Sequence, residues 1–91
     1  MQSNQKEILL IAQEECAEVT QAISKVFRFG MDAEYNDRTN RERLTEEVGD
    51  LMCLLNLMDE FGLVDWTMVS LHAQNKRKKL QKWSDIFKEA A

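Results

Sequence analysis

The chain predicts an all-α fold: an antiparallel bundle of three long helices plus a short C-terminal helix, completed by oligomerisation. It has no proline and only three glycines. It is rich in Leu, Glu, Lys, Gln, Ala and Met, the residues that cost least in a helix, and its apolar residues recur every three or four positions. Ninety-one residues make one domain, residues 1–91. A chain this short leaves much of its surface unburied, so a homodimer or homotetramer is expected.

Asn4, with Glu7 three residues on, reads as the start of a first helix from about Gln5 to Arg28. Its apolar stripe is Ile8, Ala12, Val19, Ile23 and Val26, and Gly30 stands just beyond as its terminator. Met31 to Arg38 is polar and without apolar periodicity, which predicts a loop. Thr39 and Glu42 form a capping box at the head of a second helix, with the stripe Leu44, Val48, Leu51, Leu55 and Met58 and an end near Gly62. The second half of this helix is apolar almost all round, as expected of burial between several helices, some from another subunit. Asp65 caps a third helix from about Trp66 through Trp83, and Ser84 starts a short terminal one from Asp85 to Glu89.

The longest uncharged stretch, Leu51 to Met58, is too short to cross a bilayer, and the N-terminus carries neither a basic leader nor a cleavage-like signal. A soluble cytoplasmic protein with no membrane partner is expected. Cys16 and Cys53 form no CxxC pair and fall within predicted helices, which suits buried reduced thiols better than a disulfide or a zinc site. Charge is unevenly placed: residues 1–65 carry a net −8 and residues 66–91 a net +4. An acidic body with a basic last helix can hold a metal on one element and anionic phosphates on another, unlike a generally basic nucleic-acid binder.

Two pairs of acids interrupt the apolar faces, Glu15 with Glu18 and Glu47 with Asp50. At about 100° per residue the first stripe falls within about 60°, and Glu15 lies about 20° outside it, so Glu15 faces inward. Glu18 sits roughly 60° further round and one turn along, close enough to share an ion with Glu15. On the second helix Glu47 falls between the directions of Leu54 and Met58, and Asp50 between those of Leu57 and Phe61. Carboxylates set against a helix seam lose hydration and repel one another, so they need protonation, a basic partner or a cation. Hard divalent cations select oxygen ligands, which points to Mg2+, with Mn2+ able to replace it, at Glu15, Glu18, Glu47 and Asp50. The Glu-x-x-His elements of a di-iron bundle are missing, and His72, the one histidine, reads as an ordinary helix residue.

Magnesium keeps waters and binds through a few carboxylates plus substrate phosphates, so the expected ligand is a nucleotide polyphosphate. Glu14, on the same line as Glu18, is the candidate for positioning or deprotonating a water; the alternative is a solvated helix residue. Phe29, Tyr35, Trp66 and Trp83 are available to stack on a nucleobase, or serve only in packing.

The segment Glu14-Glu15-Cys16-Ala17-Glu18 matches EExxE, Glu47-Val48-Gly49-Asp50 matches ExxD, and twenty-eight residues separate Glu18 from Glu47. With Glu46-Glu47-Val48-Gly49-Asp50-Leu51 and Lys25-Val26-Phe27-Arg28-Phe29-Gly30, the chain resembles the short, phage-like MazG-type all-α nucleoside triphosphate pyrophosphohydrolases. The resemblance covers about Glu14 to Met58, with a looser match in the basic last helix. It implies magnesium-dependent cleavage of a nucleoside triphosphate to the monophosphate and pyrophosphate, by a dimer or dimer of dimers. It also implies metal ligands at Glu15, Glu18, Glu47 and Asp50 and phosphate contacts from Lys76 and Lys79, with Lys25 and Arg28 as further phosphate candidates. Gly49 is expected to allow close helix packing beside the ligands, since glycine otherwise costs about 1 kcal/mol in a helix interior.

Other readings stay open. The phosphoribosyl-ATP pyrophosphohydrolases are similar in size and fold, but carry a Tyr-His pair where this chain has Met52-Cys53. A non-enzymatic module could bind nucleic acid through Lys76 to Lys82, with salt-sensitive affinity and no magnesium requirement. A plain oligomerisation module would leave the acids solvated or salt-bridged.

Overall fold

A computed structural model describes residues 1–88. It is mostly helical: α1 (Ser3–Phe29), a two-stranded hairpin of β1 (Glu34–Tyr35) and β2 (Arg38–Thr39), α2 (Asn40–Glu60) and α3 (Trp66–Trp83). Helix α1 starts two residues before the expected position because Gln5 Oε1 accepts the Gln2 N–H at 2.9 Å. The Nε2 of Gln5 donates to the Phe61 carbonyl at 2.9 Å, tying the head of α1 to the tail of α2. At the other end Asn40 Nδ2 donates to the Gly30 carbonyl at 2.8 Å. The two helices are therefore antiparallel.

Thr39 and Glu42 form the expected capping box, and Asp65 caps α3 by accepting the Thr67 N–H. The stretch expected to be a loop contains a hairpin instead. Asn36 and Asp37 both take positive φ, 53° and 63°, as a two-residue turn between twisted strands demands, and these residue types tolerate that conformation. Tyr35 pairs with Arg38 and Glu34 with Thr39. The expected terminal helix is absent from 85–88, where Ser84 Oγ accepts the Ile86 N–H and the Asp85 carboxylate meets Lys88 Nζ at 2.8 Å. Glu89 lies outside the described residues.

The seam between α1 and α2 follows the line Ile8, Ala12, Glu15, Val19, Ala22, Val26 on one helix and Asn40, Leu44, Glu47, Leu51, Leu54, Met58 on the other, each side chain buried or half-buried. Both lines step alternately by four and three, the period of two helices in prolonged contact. Ile23 and Val48, expected in the stripes, lie off these lines and are 42 % and 47 % exposed. Each line carries a glutamate in its third position.

Helix α3 has no buried residue and is not packed into a three-helix bundle. The molecule measures 47 × 39 × 14 Å. Cys16 and Cys53 are free, as expected, but exposed rather than buried, because no element among the described residues covers their faces. Gly49 is likewise open: a Cβ there would meet nothing within 4 Å, so no close helix approach among the described residues requires it. No helix among the described residues is long and apolar enough to cross a membrane.

Candidate metal centre

Helix α1 supplies Glu15 from its seam line and Glu18 one turn further on, and α2 supplies Glu47. One carboxylate oxygen from each of the three lies within 4.8 Å of the others. Glu15 and Glu47 are half-buried among aliphatic seam residues, while Glu18 stands at the exposed mouth. The seam cuts off one oxygen of each inner acid: Oε2 of Glu15 and Oε2 of Glu47 are buried and have no hydrogen-bond partner. An acceptor stripped of water and left without a donor is costly, so each of these two oxygens calls for a proton, a donor or a cation.

The electrostatics agree with the geometry. Lost hydration, followed by the charges of Glu18 and Asp50, raises the Glu15 carboxyl above its ordinary value of 4.5. Glu47 is raised as well, first by a hydrogen bond shared with Glu18, then by lost hydration and the charges of Glu18, Asp50 and Glu15. Ion pairing does not relieve them. Among the described residues the salt bridges are Arg38–Glu46, Arg41–Asp32 and Lys88–Asp85, and none involves the three clustered acids.

The other expected ligand, Asp50, is exposed and contributes charge to both inner acids, but its oxygens lie outside the 4.8 Å group. Glu14 is exposed and is the weakest of the charges acting on Glu15. The structure thus gathers three of the four expected ligands.

Beside the cluster lies a polar cavity of about 250 Å³, lined by the acids Glu18, Glu46 and Glu47 together with Lys25, Arg38, Asn40 and Arg43. A second, more apolar cavity of about 460 Å³ shares Lys25, Asn40 and Arg43 with the first and adds Phe29, Glu34 and Tyr35. The shared residues make the two adjacent chambers of one trough. Lys25 is where a phosphate contact is expected. Arg28 lines neither chamber; its guanidinium lies 5.0 Å from the centre of the Phe29 ring. Lys76 and Lys79 are exposed on α3 and line neither chamber, because α3 does not fold back along the α1–α2 pair.

Sequence reasoning passed over Arg38, Asn40 and Arg43. Arg43 lies one helical turn before Glu47 on the same face of α2, so i, i+4 spacing from that glutamate marks it. Asn40 is the first residue after the capping threonine and is 7 % exposed, its amide consumed in holding the end of α1. Arg38 reaches the trough through the hairpin and pairs with Glu46.

No family model, curated protein or solved structure matches the chain. The reading of the site therefore rests on its own residues.

Proposed function

We propose that this chain is a divalent-cation-dependent nucleoside triphosphate pyrophosphohydrolase, cleaving a (d)NTP to the (d)NMP and pyrophosphate. The observation that carries this reading is the convergence of Glu15, Glu18 and Glu47 with two orphaned buried oxygens, directly beside a cavity lined by Lys25, Arg38 and Arg43. Carboxylates and three cationic side chains lining one cavity, with Arg38 held by Glu46, suit a metal-chelated polyphosphate better than either ion alone. The same acids carry the resemblance to the MazG-type enzymes.

The donor set is all oxygen, which fits magnesium or manganese and disfavours softer metals. Glu15, Glu18 and Glu47 would hold the ion, with Asp50 one turn along α2 as the fourth ligand after a side-chain shift. A bound magnesium supplies charge neutralisation on the phosphates and lowers the pKa of a water. Lys25, Arg38 and Arg43 take up the negative charge of the phosphate chain and hold it in line. Glu14, solvent-facing beside Glu15, accepts the proton of the attacking water on a carboxylate oxygen. The water oxygen bonds to one of the two phosphorus atoms flanking the α–β bridging oxygen. The bond from that phosphorus to the bridging oxygen breaks with its electron pair going to the departing group, and (d)NMP and pyrophosphate separate.

The working form in this proposal is a homodimer or homotetramer. The radius of gyration is 16.3 Å, against about 12 Å for a compact chain of this length. The accessible surface is 7402 Å², against roughly 5,500 Å² for a compact monomer of this mass. Val48, Met52, Phe61, Met68 and Leu71 all lie open. A second copy covering them would bring the surface to ordinary proportions and could carry Lys76 and Lys79 to a neighbouring site.

The test is a panel of nucleoside triphosphates, normal and modified, incubated with magnesium while monophosphate and pyrophosphate are measured together. Equal release of both, abolished by Glu47→Gln with the helical oligomer intact, is the expected result. Release of orthophosphate alone, or wild-type turnover in the variant, would overturn the assignment.

A further inference from the structure

Phe29 and Tyr35 are 61 % and 72 % exposed, yet both line the 460 Å³ chamber adjoining the acids. That volume lies within the range of about 300–1,000 Å³ found for small-molecule sites. The chamber is more apolar than its neighbour and is joined to it at Lys25, Asn40 and Arg43. Asn40 at this junction is buried, and its Nδ2 holds the carbonyls of Gly30 at 2.8 Å and Lys25 at 3.4 Å, fixing where α1 ends and Phe29 begins. Arg43 donates to the Tyr35 carbonyl at 2.5 Å, which fixes the hairpin carrying the second ring. Two aromatic walls are thus placed by the end of α1 and by the hairpin, in the chamber that Glu15, Glu18 and Glu47 do not line.

We infer that this chamber is the nucleobase subsite, with Phe29 and Tyr35 as its stacking walls and Lys25 and Arg43 at the sugar–phosphate junction. The inference rests on the polyphosphate reading of the neighbouring chamber and adds to it the location of the base. One trough with an acidic, a cationic and an aromatic section in sequence matches the order metal, phosphate chain, sugar and planar heterocycle. Stacking uses the π-face common to every base, so Phe29 and Tyr35 supply affinity for bases as a class.

Tyr35 is the only tyrosine, so its ring resonance is unique in an aromatic carbon–proton NMR spectrum. The wild-type protein is titrated in magnesium with α,β-methylene analogues of ATP and CTP, and separately with inorganic tripolyphosphate. The analogues are expected to shift the Tyr35 ring upfield, and tripolyphosphate to bind without moving it. Phe29→Leu and Tyr35→Ala are each expected to weaken analogue binding about tenfold, as loss of one base–aromatic stack does, with tripolyphosphate affinity unchanged. Equal binding of all ligands with Tyr35 still would overturn the base subsite and leave the phosphate reading standing. Failure of every ligand to bind would overturn both. Movement of Tyr35 with protein concentration alone would assign the aromatics to a contact between copies, and so overturn the inference.

Discussion

Replacing Glu47 by glutamine removes one of three carboxylates whose oxygens lie within 4.8 Å of one another, and the cation-free protein should gain stability from it. At that separation two unit charges repel by about 0.9 kcal/mol in water, and the exposure of Glu18 keeps the pocket near this screened limit. A net gain of about 1 kcal/mol corresponds to a melting temperature higher by about 4–8 °C for a domain of this size. The pH dependence has a definite sign. Glu15 and Glu47 are raised above their ordinary 4.5 in the fold, so the unfolded chain releases these protons first. The stability they contribute is full below that value and is lost as pH climbs through the raised folded values. Without divalent cations, wild type should therefore become less stable as pH rises from about 4.5 towards neutrality, less steeply in Glu47→Gln. Magnesium at 100 times its dissociation constant should restore about 2.7 kcal/mol to wild type and little to the variant. The assay is thermal unfolding by circular dichroism between pH 4.5 and 7.5, in chelator and in magnesium. A variant that melts below wild type in chelator and responds equally to magnesium would refute the electrostatic reasoning.

Other changes separate the site from the scaffold. Asn40→Ala leaves two backbone carbonyls without their amide donor and should cost about 1–3 kcal/mol in denaturant unfolding, with magnesium binding reduced only through the fold. Thr39→Ala removes the cap of α2 and should cost about 1 kcal/mol, read as a lower melting temperature. Gly49→Ala, with open space for its Cβ, should stabilise the chain by about 1 kcal/mol through helix propensity. Destabilisation with loss of the oligomer in gel filtration would instead place a second copy against that glycine. Arg43→Ala, which removes a trough cation but no ligand of the cluster, should raise the KM for a nucleoside triphosphate about tenfold or more, as expected on losing a charge-assisted phosphate contact. An unchanged KM would remove Arg43 from the trough's function.

Local chemistry made much of this architecture legible. Thr39 with Glu42 and Asp65 with Thr67 are contacts between near neighbours in sequence, so residue identity alone marked the starts of α2 and α3. The acids were visible because Glu15 and Glu47 interrupt aliphatic lines, and a charge in such a line is conspicuous. The exact lines were less visible: a uniform 100° step included Ile23 and Val48, whereas sustained contact between α1 and α2 follows a 3.5-residue repeat and selects Ala22 and Glu47. The hairpin escaped because its strands are two residues long and its signal is the Asn36-Asp37 pair alone. Arg38 and Tyr35 reach the trough only through that hairpin. The position of α3 and the exposure of Cys16 and Cys53 depend on which faces other elements cover, which helical periodicity does not encode.

Manganese binding followed by electron paramagnetic resonance tests most directly whether Glu15, Glu18 and Glu47 share a cation. The wild-type protein should take up manganese stoichiometrically per chain, magnesium should displace it, and replacing all three glutamates by glutamine should abolish uptake while the helical spectrum persists. Manganese bound equally by that triple variant, or by neither protein, would contradict the account.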